Sequence, residues 1–252
     1  MMISAGVAQF PLHSSEREGL ILAADMALYR AKSTGRNRVC VFENDARRKF
    51  DSNPYKLHLL LHLDDLRDLE SVTESLDAKQ KLPEGHSAKL AQLAVATAAL
   101  LGLDEKQQAA VRAAALIRDI AQLALPDAVL TRREPLTPED RAAILSHPAV
   151  GHAVVQKAPH LRDMLPGLLH HHERFDGSGY PFGLAGENIS MVGRIVAIAD
   201  AYMSLRVRRP TASETELRKD VAEAAGTAFD PAVVEAFLKV LETAEKSEEI
   251  AA

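Results

Sequence analysis

The chain has 252 residues, of which 47% are hydrophobic and 26% charged, a balance typical of a globular protein with a packed core. Its 30 basic and 35 acidic residues give a net charge of −5, which argues against a general nucleic-acid-binding protein. The single cysteine, Cys40, excludes a disulfide framework, and the absence of a long apolar run or of a basic, signal-like N-terminus predicts a cytoplasmic protein without a membrane span.

The N-terminal region predicts a small β–α–β fragment. Residues 3–10 alternate as a weak strand, residues 16–33 carry apolar positions at helical spacing, and residues 38–43 return as a strand. About 43 residues cannot bury a core alone, so this fragment must dock, dimerise or end a larger domain. The polar residues 44–56, which include Pro54, are predicted to be a linker.

The rest of the chain is predicted to be helical. Leucines recur at spacings of three, four and seven along residues 55–80. Helix start signals stand at Asp104 and at Thr137-Pro138. Five further helical spans are predicted: Ser87–Leu101, Glu105–Leu125, Pro138–Gln156, Met191–Leu205 and residues 213–245. The predicted fold class is therefore mainly α, with a small β–α–β fragment in front.

Several residues suggest chemistry, and each has a plainer interpretation. The run His170–His172 suits a metal centre, because imidazole is a common transition-metal ligand, but it also suits a solvated, His-rich helix end. Asp200 lies in an almost uncharged helix, where a carboxylate must ligate a metal or pair with a distant arginine. His86 and His147, taken alone, are more often structural.

Asp119 also follows an apolar helix, but here the plainer interpretation is stronger. An exposed helical stripe would contain Gln108, Arg112, Asp119 and Gln122. The Gly-rich segment 176–189 is a long connection of the kind that often carries function, and its glycines are expected to permit positive φ angles or close backbone approach. Three arginines after Asp200 could bind phosphate or form a solvated patch: Arg206, Arg208 and Arg209.

The stretch HHERFDGSGYPFGLAGENI followed by RIVAIADAY resembles the signature of the HD-GYP family, cyclic di-GMP phosphodiesterases of the HD hydrolase superfamily. The resemblance extends to GHSAKLAQLA and HPAVGHAVV and implies an HD-domain helical bundle over residues 57–245, with a tail at 246–252. Residues 1–43 resemble the end of a GGDEF domain, in SAGVA and LILAADMALYRAKSTGRNRVCVF. That domain's signature loop is absent from the match, so we expect no synthesis of cyclic di-GMP.

The resemblance implies a site with two or three metal ions, usually iron or manganese. The implied metal ligands are His86, Asp119, His147, His171, His172 and Asp200. Asp119 is also the implied catalytic residue, and the implied ligand-binding residues are Gly179, Tyr180, Pro181 and Arg209.

The chain departs from the family pattern at the HD pair. Arg118 replaces the histidine, and Gln122 replaces a lysine expected near the scissile phosphate. Leu82 and Met203 replace acidic residues, and Ala212 replaces a second phosphate-contacting residue, a lysine. Because a guanidinium cannot lose its proton, we expect Arg118 to substitute for one metal ion by pairing with Asp119 and Asp200, which leaves fewer ions than in intact members, or none.

Three functional hypotheses follow. The first is a degenerate HD-GYP module that binds cyclic di-GMP, a related nucleotide or a GGDEF-domain protein with little or no hydrolysis. The second is a weak metal-dependent cyclic di-GMP phosphodiesterase giving pGpG or GMP. The third is a scaffold that forms a homodimer through the helix at 55–80.

Overall fold

The computed structural model describes residues 3–12, 36–41, 73–74, 76–125, 127–130, 137–156 and 159–251, and the single positions 20, 23, 24, 27, 28 and 31. Within these residues the chain is mainly helical, as predicted, with two short strands. The strands are β1 (Ala5–Val7) and β2 (Val39–Val41). The helices are α1 (His86–Leu100), α2 (Glu105–Ile117), α3 (Asp127–Leu130), α4 (Pro138–Leu145), α5 (His147–Val155), α6 (Leu165–His170), α7 (Met191–Arg208), α8 (Glu214–Glu223) and α9 (Pro231–Ala251).

The N-terminal fragment has the predicted β–α–β order. Strands β1 and β2 pair in parallel, with Ala5 opposite Val39, which requires a crossover between them. Helical positions lie in that crossover, and three of its alanines are buried: Ala23, Ala27 and Ala31. The predicted linker and most of the helix predicted at residues 55–80 lie outside the described residues, although 73–74 and 76–80 are helical.

Both predicted helix start signals are confirmed. The Asp104 side chain accepts the Gln107 backbone N–H at the start of α2, and the Gln107 side chain accepts the Asp104 N–H in return. Thr137 and Asp140 form the same reciprocal cap at α4, with Pro138 at the first helical position. Local sequence therefore sets where these helices begin.

Helix α7 lies at the centre of the core. It packs against α1, α2, α6 and α9, and Ile195, Val196, Ile198 and Tyr202 are buried along it. Because α7 is contacted on several sides, nearly all of its faces are apolar. None of the helices formed by the described residues combines the length and apolar character needed to cross a bilayer.

The predicted helix Glu105–Leu125 is too long, because α2 ends at Ile117. The Arg118 guanidinium donates to the Ala115 carbonyl, and Asp119 leaves the α-helical region at φ −100° and ψ 11°. A 3₁₀ turn, Ile120–Ala124, follows. The predicted exposed stripe is therefore wrong at Asp119, which is buried and faces inward.

The predicted helix Pro138–Gln156 is two helices that meet at Ser146. Pro148 has no N–H, so it cannot donate to the Ile144 carbonyl four residues earlier. That carbonyl accepts from the His147 ring instead, with His147 Nδ1 2.6 Å from the Ile144 oxygen. The proline thus both divides the helix and orients a candidate ligand.

The predicted span 213–245 is also two helices, α8 and α9. Gly226 adopts a positive φ of 74° between them, and Asp230 accepts the Ala232 N–H at the start of α9. Helix α9 continues to Ala251, into the segment predicted to be a tail. Helix α7 also exceeds its predicted end by three residues and ends at Arg208.

Candidate metal centre

The candidate residues converge because most of them lie at helix ends that meet beside α7. His86 begins α1, His147 begins α5, and His171 directly follows α6. Arg118 and Asp119 follow α2, and Asp200 lies within α7. All of them except His171 line a cavity of about 240 Å³. The described residues that line it are Gln80, Leu82, His86, Arg118, Asp119, Gln122, Ile144, His147, His172, Tyr180, Asp200 and Ser204.

Four candidate ligands form one cluster. Asp119, His147, His171 and His172 each offer one ligand atom, and these atoms all lie within 4.8 Å of one another. Asp200 lines the same cavity but is not in the cluster, because its carboxylate faces Arg118. The six residues implied by the resemblance are thus near one another, and four of them are close enough to be candidate ligands of one ion.

Backbone carbonyls orient two of the imidazoles. His147 Nδ1 lies 2.6 Å from the Ile144 oxygen, and His171 Nδ1 lies 2.8 Å from the Leu168 oxygen. The Leu168 carbonyl is among the last four of α6, which the helix leaves without partners. A carbonyl only accepts, so in each neutral ring Nδ1 carries the proton and Nε2 presents its lone pair.

The two lone pairs point at each other and at a carboxylate. His147 Nε2 lies 3.2 Å from His171 Nε2 and 3.0 Å from Asp119 Oδ1. Ligand atoms about 2.1 Å from one ion would be separated by about 3.0–3.4 Å, so this spacing matches a shared cation. Hydrogen bonds from ligating histidines to carbonyls are also typical of metal centres.

Burial opposes a second proton, and hence a positive charge, on the rings of His171 and His172. Burial, reinforced by His172 and His147, lowers the pKa of His171 well below its usual value. Burial, then His147, lowers the pKa of His172 to about 4. Neutral imidazoles are the form that binds metal, so the donor set fits a divalent ion.

Arg118 occupies the other side of Asp119. Its Nε lies 2.6 Å from Asp200 Oδ1 and 3.4 Å from Asp119 Oδ2, and its side chain is 3% exposed. It also donates to Ser87 Oγ at 3.3 Å, and Ser87 donates its own N–H and hydroxyl to the buried Asp77. The guanidinium is therefore fixed between two carboxylates by contacts from several elements.

The positive charge of Arg118 affects the pKa values of Asp119 and His86. Although burial raises the pKa of the Asp119 carboxyl, Arg118 and then His147 outweigh it and hold that pKa well below its usual value. Burial and then Arg118 lower the pKa of His86, whose buried Nδ1 lacks a hydrogen-bond partner among the described residues. Asp119 is thus kept ionised and His86 is kept neutral.

The Gly-rich loop closes one side of the cavity. The Tyr180 ring stacks on His172, with centroids 4.7 Å apart. A Cβ at Gly179 would lie 2.2 Å from the Arg174 nitrogen, so only glycine permits this close approach. Gly177, by contrast, has a positive φ of 83°. Both expected uses of glycine therefore occur in this loop.

Glu173 anchors the loop, and sequence reasoning missed it. Its buried carboxylate accepts the Phe182 N–H at 2.7 Å and the Leu184 N–H at 3.0 Å. Burial raises the pKa of Glu173, and these N–H groups oppose that rise. A carboxylate placed just before a glycine-rich run, whose N–H groups need acceptors, was the available signal.

Replacing Glu173 with alanine is expected to lower the free energy of unfolding by about 2–4 kcal/mol, because the loop N–H groups lose their acceptor. Urea unfolding measures this, and limited proteolysis should show faster cleavage within residues 176–188. The exposed Glu187→Ala is the matched control, with a change within about 0.5 kcal/mol. An E173A protein as stable as the wild type would show that Glu173 does not stabilise the loop.

Some of the other implied residues do not line the cavity. Arg209 pairs with Asp220, and Arg206 pairs with Glu214. Pro181, Gly179 and Arg209 are not among the described lining residues. Conversely, sequence reasoning did not find Gln80 or Ser204, which line the cavity. No local pattern marks either of them.

Comparison with known proteins gives a family match and several relatives. The HD domain profile matches residues 70–233, more than half of the chain. The "cyclic di-GMP phosphodiesterase response regulator RpfG" of Xanthomonas campestris pv. campestris is 33% identical over 181 residues, covering 69% of this chain and 48% of that protein. A "cyclic di-GMP phosphodiesterase" of Thermotoga maritima is 31% identical over 189 residues, covering 73% of this chain and 48% of that protein.

A solved structure resembles part of the chain. The crystal structure of a cyclic GMP-AMP-specific phosphodiesterase of V. cholerae has a TM-score of 0.58 at 18% identity, covering 69% of this chain and 48% of that chain. At this identity the likeness is one of fold. The chain spans about half the length of these three proteins.

Proposed function

Because this chain belongs to the HD-domain family, we propose that it is a degenerate HD-GYP module that binds cyclic di-GMP with a single divalent metal ion and hydrolyses it slowly or not at all. The names of its relatives support a cyclic dinucleotide as ligand. The observation that carries the proposal is the position of Arg118 between Asp119 and Asp200. A cytoplasmic location and GGDEF-domain partners stay predictions.

In this proposal Arg118 takes the place of a metal ion between Asp119 and Asp200, and one metal position remains. A guanidinium has no lone pair and keeps its proton, so it cannot act as a ligand. Its positive charge already neutralises much of the charge that an ion between Asp119 and Asp200 would neutralise. We therefore assign one ion to Asp119, His147, His171 and His172.

The remaining groups have defined roles. The carbonyls of Ile144 and Leu168 hold two imidazoles so that His147 Nε2 and His171 Nε2 face each other and would be available to an ion, and Tyr180 covers His172. A bound divalent ion supplies positive charge for a phosphate and lowers the pKa of a bound water. Gln122, where the family has lysine, supplies no positive charge for the phosphoryl group.

The cavity charge makes nucleotide binding depend on the ion. Among the described lining residues, one guanidinium and two carboxylates give a net charge of −1 while the imidazoles are neutral. A cyclic dinucleotide carries two negative phosphodiester groups, which this cavity repels by itself. One divalent ion reverses the sign of the cavity charge and favours the phosphates.

Calorimetric titration with cyclic di-GMP tests the proposal. We expect binding at least about tenfold tighter with Mn²⁺ than after chelation, since removal of a nearby divalent charge costs more than about 1.4 kcal/mol. The variant His171→Ala, which removes one ligand, should lose this dependence. Equal affinity with and without Mn²⁺ in the wild type would contradict the proposal.

The second candidate is a weak phosphodiesterase, which the retained four-ligand cluster favours. Anaerobic incubation with Fe²⁺ or Mn²⁺ and separation of pGpG and GMP decide between the two candidates. Sustained turnover that His171→Ala abolishes would favour the enzyme. The scaffold hypothesis depends on residues 55–80, most of which lie outside the described residues.

A further inference from the structure

Two glutamines connect the metal cluster to the helical residues 76–80. Gln80 Nε2 donates to Gln122 Oε1 at 2.8 Å. Gln122 Nε2 in turn donates to Asp119 Oδ1 at 2.5 Å. Gln80 is 42 residues from Gln122 in the chain, so this contact is a product of the fold.

The chemistry of the partners fixes the direction of both amides. An ionised carboxylate only accepts hydrogen bonds, so Gln122 must present its NH₂ group to Asp119. Its carbonyl then faces Gln80, which must present an NH₂ group in turn. By donating to that carbonyl, Gln80 stabilises the Gln122 orientation that Asp119 requires.

The contacted oxygen is the one that faces the histidines. Asp119 Oδ1 lies 3.0 Å from His147 Nε2 and 4.0 Å from His171 Nε2, whereas Oδ2 faces Arg118. A carboxylate oxygen has two lone-pair sites, so Oδ1 can accept from Gln122 and still face an ion. The hydrogen bond from Gln122 thus holds Oδ1 in the cluster.

We propose that Gln80, acting through Gln122, is a positioning residue that directs Asp119 Oδ1 toward the metal cluster. The inference rests on the proposed single-ion site. It assigns a role to a residue in neither the HD pair nor the glycine-rich loop. Outer-sphere partners of this kind typically change metal affinity by about 10–100-fold.

The variant Gln80→Glu separates positioning from charge. Glu at position 80 accepts only, so it should compete with Asp119 for the Gln122 NH₂ group and weaken the hydrogen bond to Oδ1. This should weaken Mn²⁺ binding about tenfold or more. The added negative charge alone would strengthen binding, so the two explanations predict opposite signs.

Mn²⁺ titration of the full chain measures the affinity. The variant Gln107→Glu is the control for the added charge. Gln107 is exposed and lies at a capping-box position where glutamate is also favourable. Gln80→Met removes the Gln80 hydrogen bond without adding a competing acceptor, and we expect a smaller loss than for Gln80→Glu. Unchanged or tighter Mn²⁺ binding by Gln80→Glu would overturn the inference.

A second readout needs no metal. In ¹⁵N–¹H spectra of metal-free protein, the signal of the Gln122 side-chain amide is identified by its loss in Gln122→Met. This signal should shift in Gln80→Glu and stay unchanged in Gln107→Glu. An unchanged signal in Gln80→Glu would also overturn the inference. If the wild type bound no Mn²⁺, the proposed function would fail, and these spectra would still decide the role of Gln80.

Discussion

Replacing Arg118 with alanine is expected to lower the free energy of unfolding of the metal-free protein by about 3–5 kcal/mol, because it leaves buried carboxylates without their cation. The Arg118 side chain is 3% exposed, compared with 10% for Asp119 and 17% for Asp200. Removing the guanidinium therefore leaves negative charge that water screens poorly. Urea unfolding after chelation measures the loss.

Three comparisons make this result specific. Arg208→Ala removes an exposed arginine whose Nε donates to a backbone carbonyl, and should change stability by less than about 0.5 kcal/mol. Asp200→Asn in the Arg118→Ala background should recover part of the loss, because the two side chains are coupled. Added Mn²⁺ should stabilise Arg118→Ala more than the wild type. An Arg118→Ala variant as stable as the wild type would show that the pairing of Arg118 with Asp119 and Asp200 does not replace a metal ion.

Replacing Arg118 with histidine is expected to raise the bound Mn²⁺ from one ion per chain to two. A neutral imidazole offers a lone pair to an ion where the guanidinium repels one. His86 and Asp200 line the same cavity and supply further ligand groups. Metal analysis of the dialysed protein measures the change.

Turnover should rise in the same variant. We expect cyclic di-GMP hydrolysis by Arg118→His to exceed that of the wild type by about 10–100-fold, since added metal charge at a phosphoryl group stabilises the transition state by a few kcal/mol. Arg118→Met is the matched control, because it removes the charge without adding a ligand. Equal metal content in the histidine and methionine variants would count against the assigned role of position 118.

The sequence predicted the fold class from helical periodicity, whereas the set of candidate ligands came from the resemblance and the structure places them near one another. Asp200 stands in an apolar helix, and a lone carboxylate there requires a cation. The sequence left open whether that cation is a metal or an arginine, and the structure places Arg118 2.6 Å away. The roles of the implied metal ligands stay predictions.

Other features could not be predicted because they depend on breaks in the helices. The stripe that made Asp119 look exposed assumed that α2 continues, whereas α2 ends at Ile117 and a 3₁₀ turn directs Asp119 inward. Pro148 was visible in the sequence, but its effect on the Ile144 carbonyl and the His147 ring required the packed structure.

Long-range contacts were also beyond sequence reasoning. Gln80 reaches Gln122 across 42 residues, and Asp77 reaches Ser87 beside Arg118. Neither Gln80 nor Asp77 has a sequence pattern that distinguishes it from a polar helix residue.

The metal content of the wild-type chain, purified without oxygen and without a histidine tag, tests the central claim most directly. A single-ion site beside a fixed guanidinium predicts one iron or manganese ion per chain, lost in His171→Ala. Two ions per chain would contradict the claim, because Arg118 would have to leave Asp119 and Asp200. A well-folded protein that takes up no ion from excess Fe²⁺ or Mn²⁺ would contradict it as well.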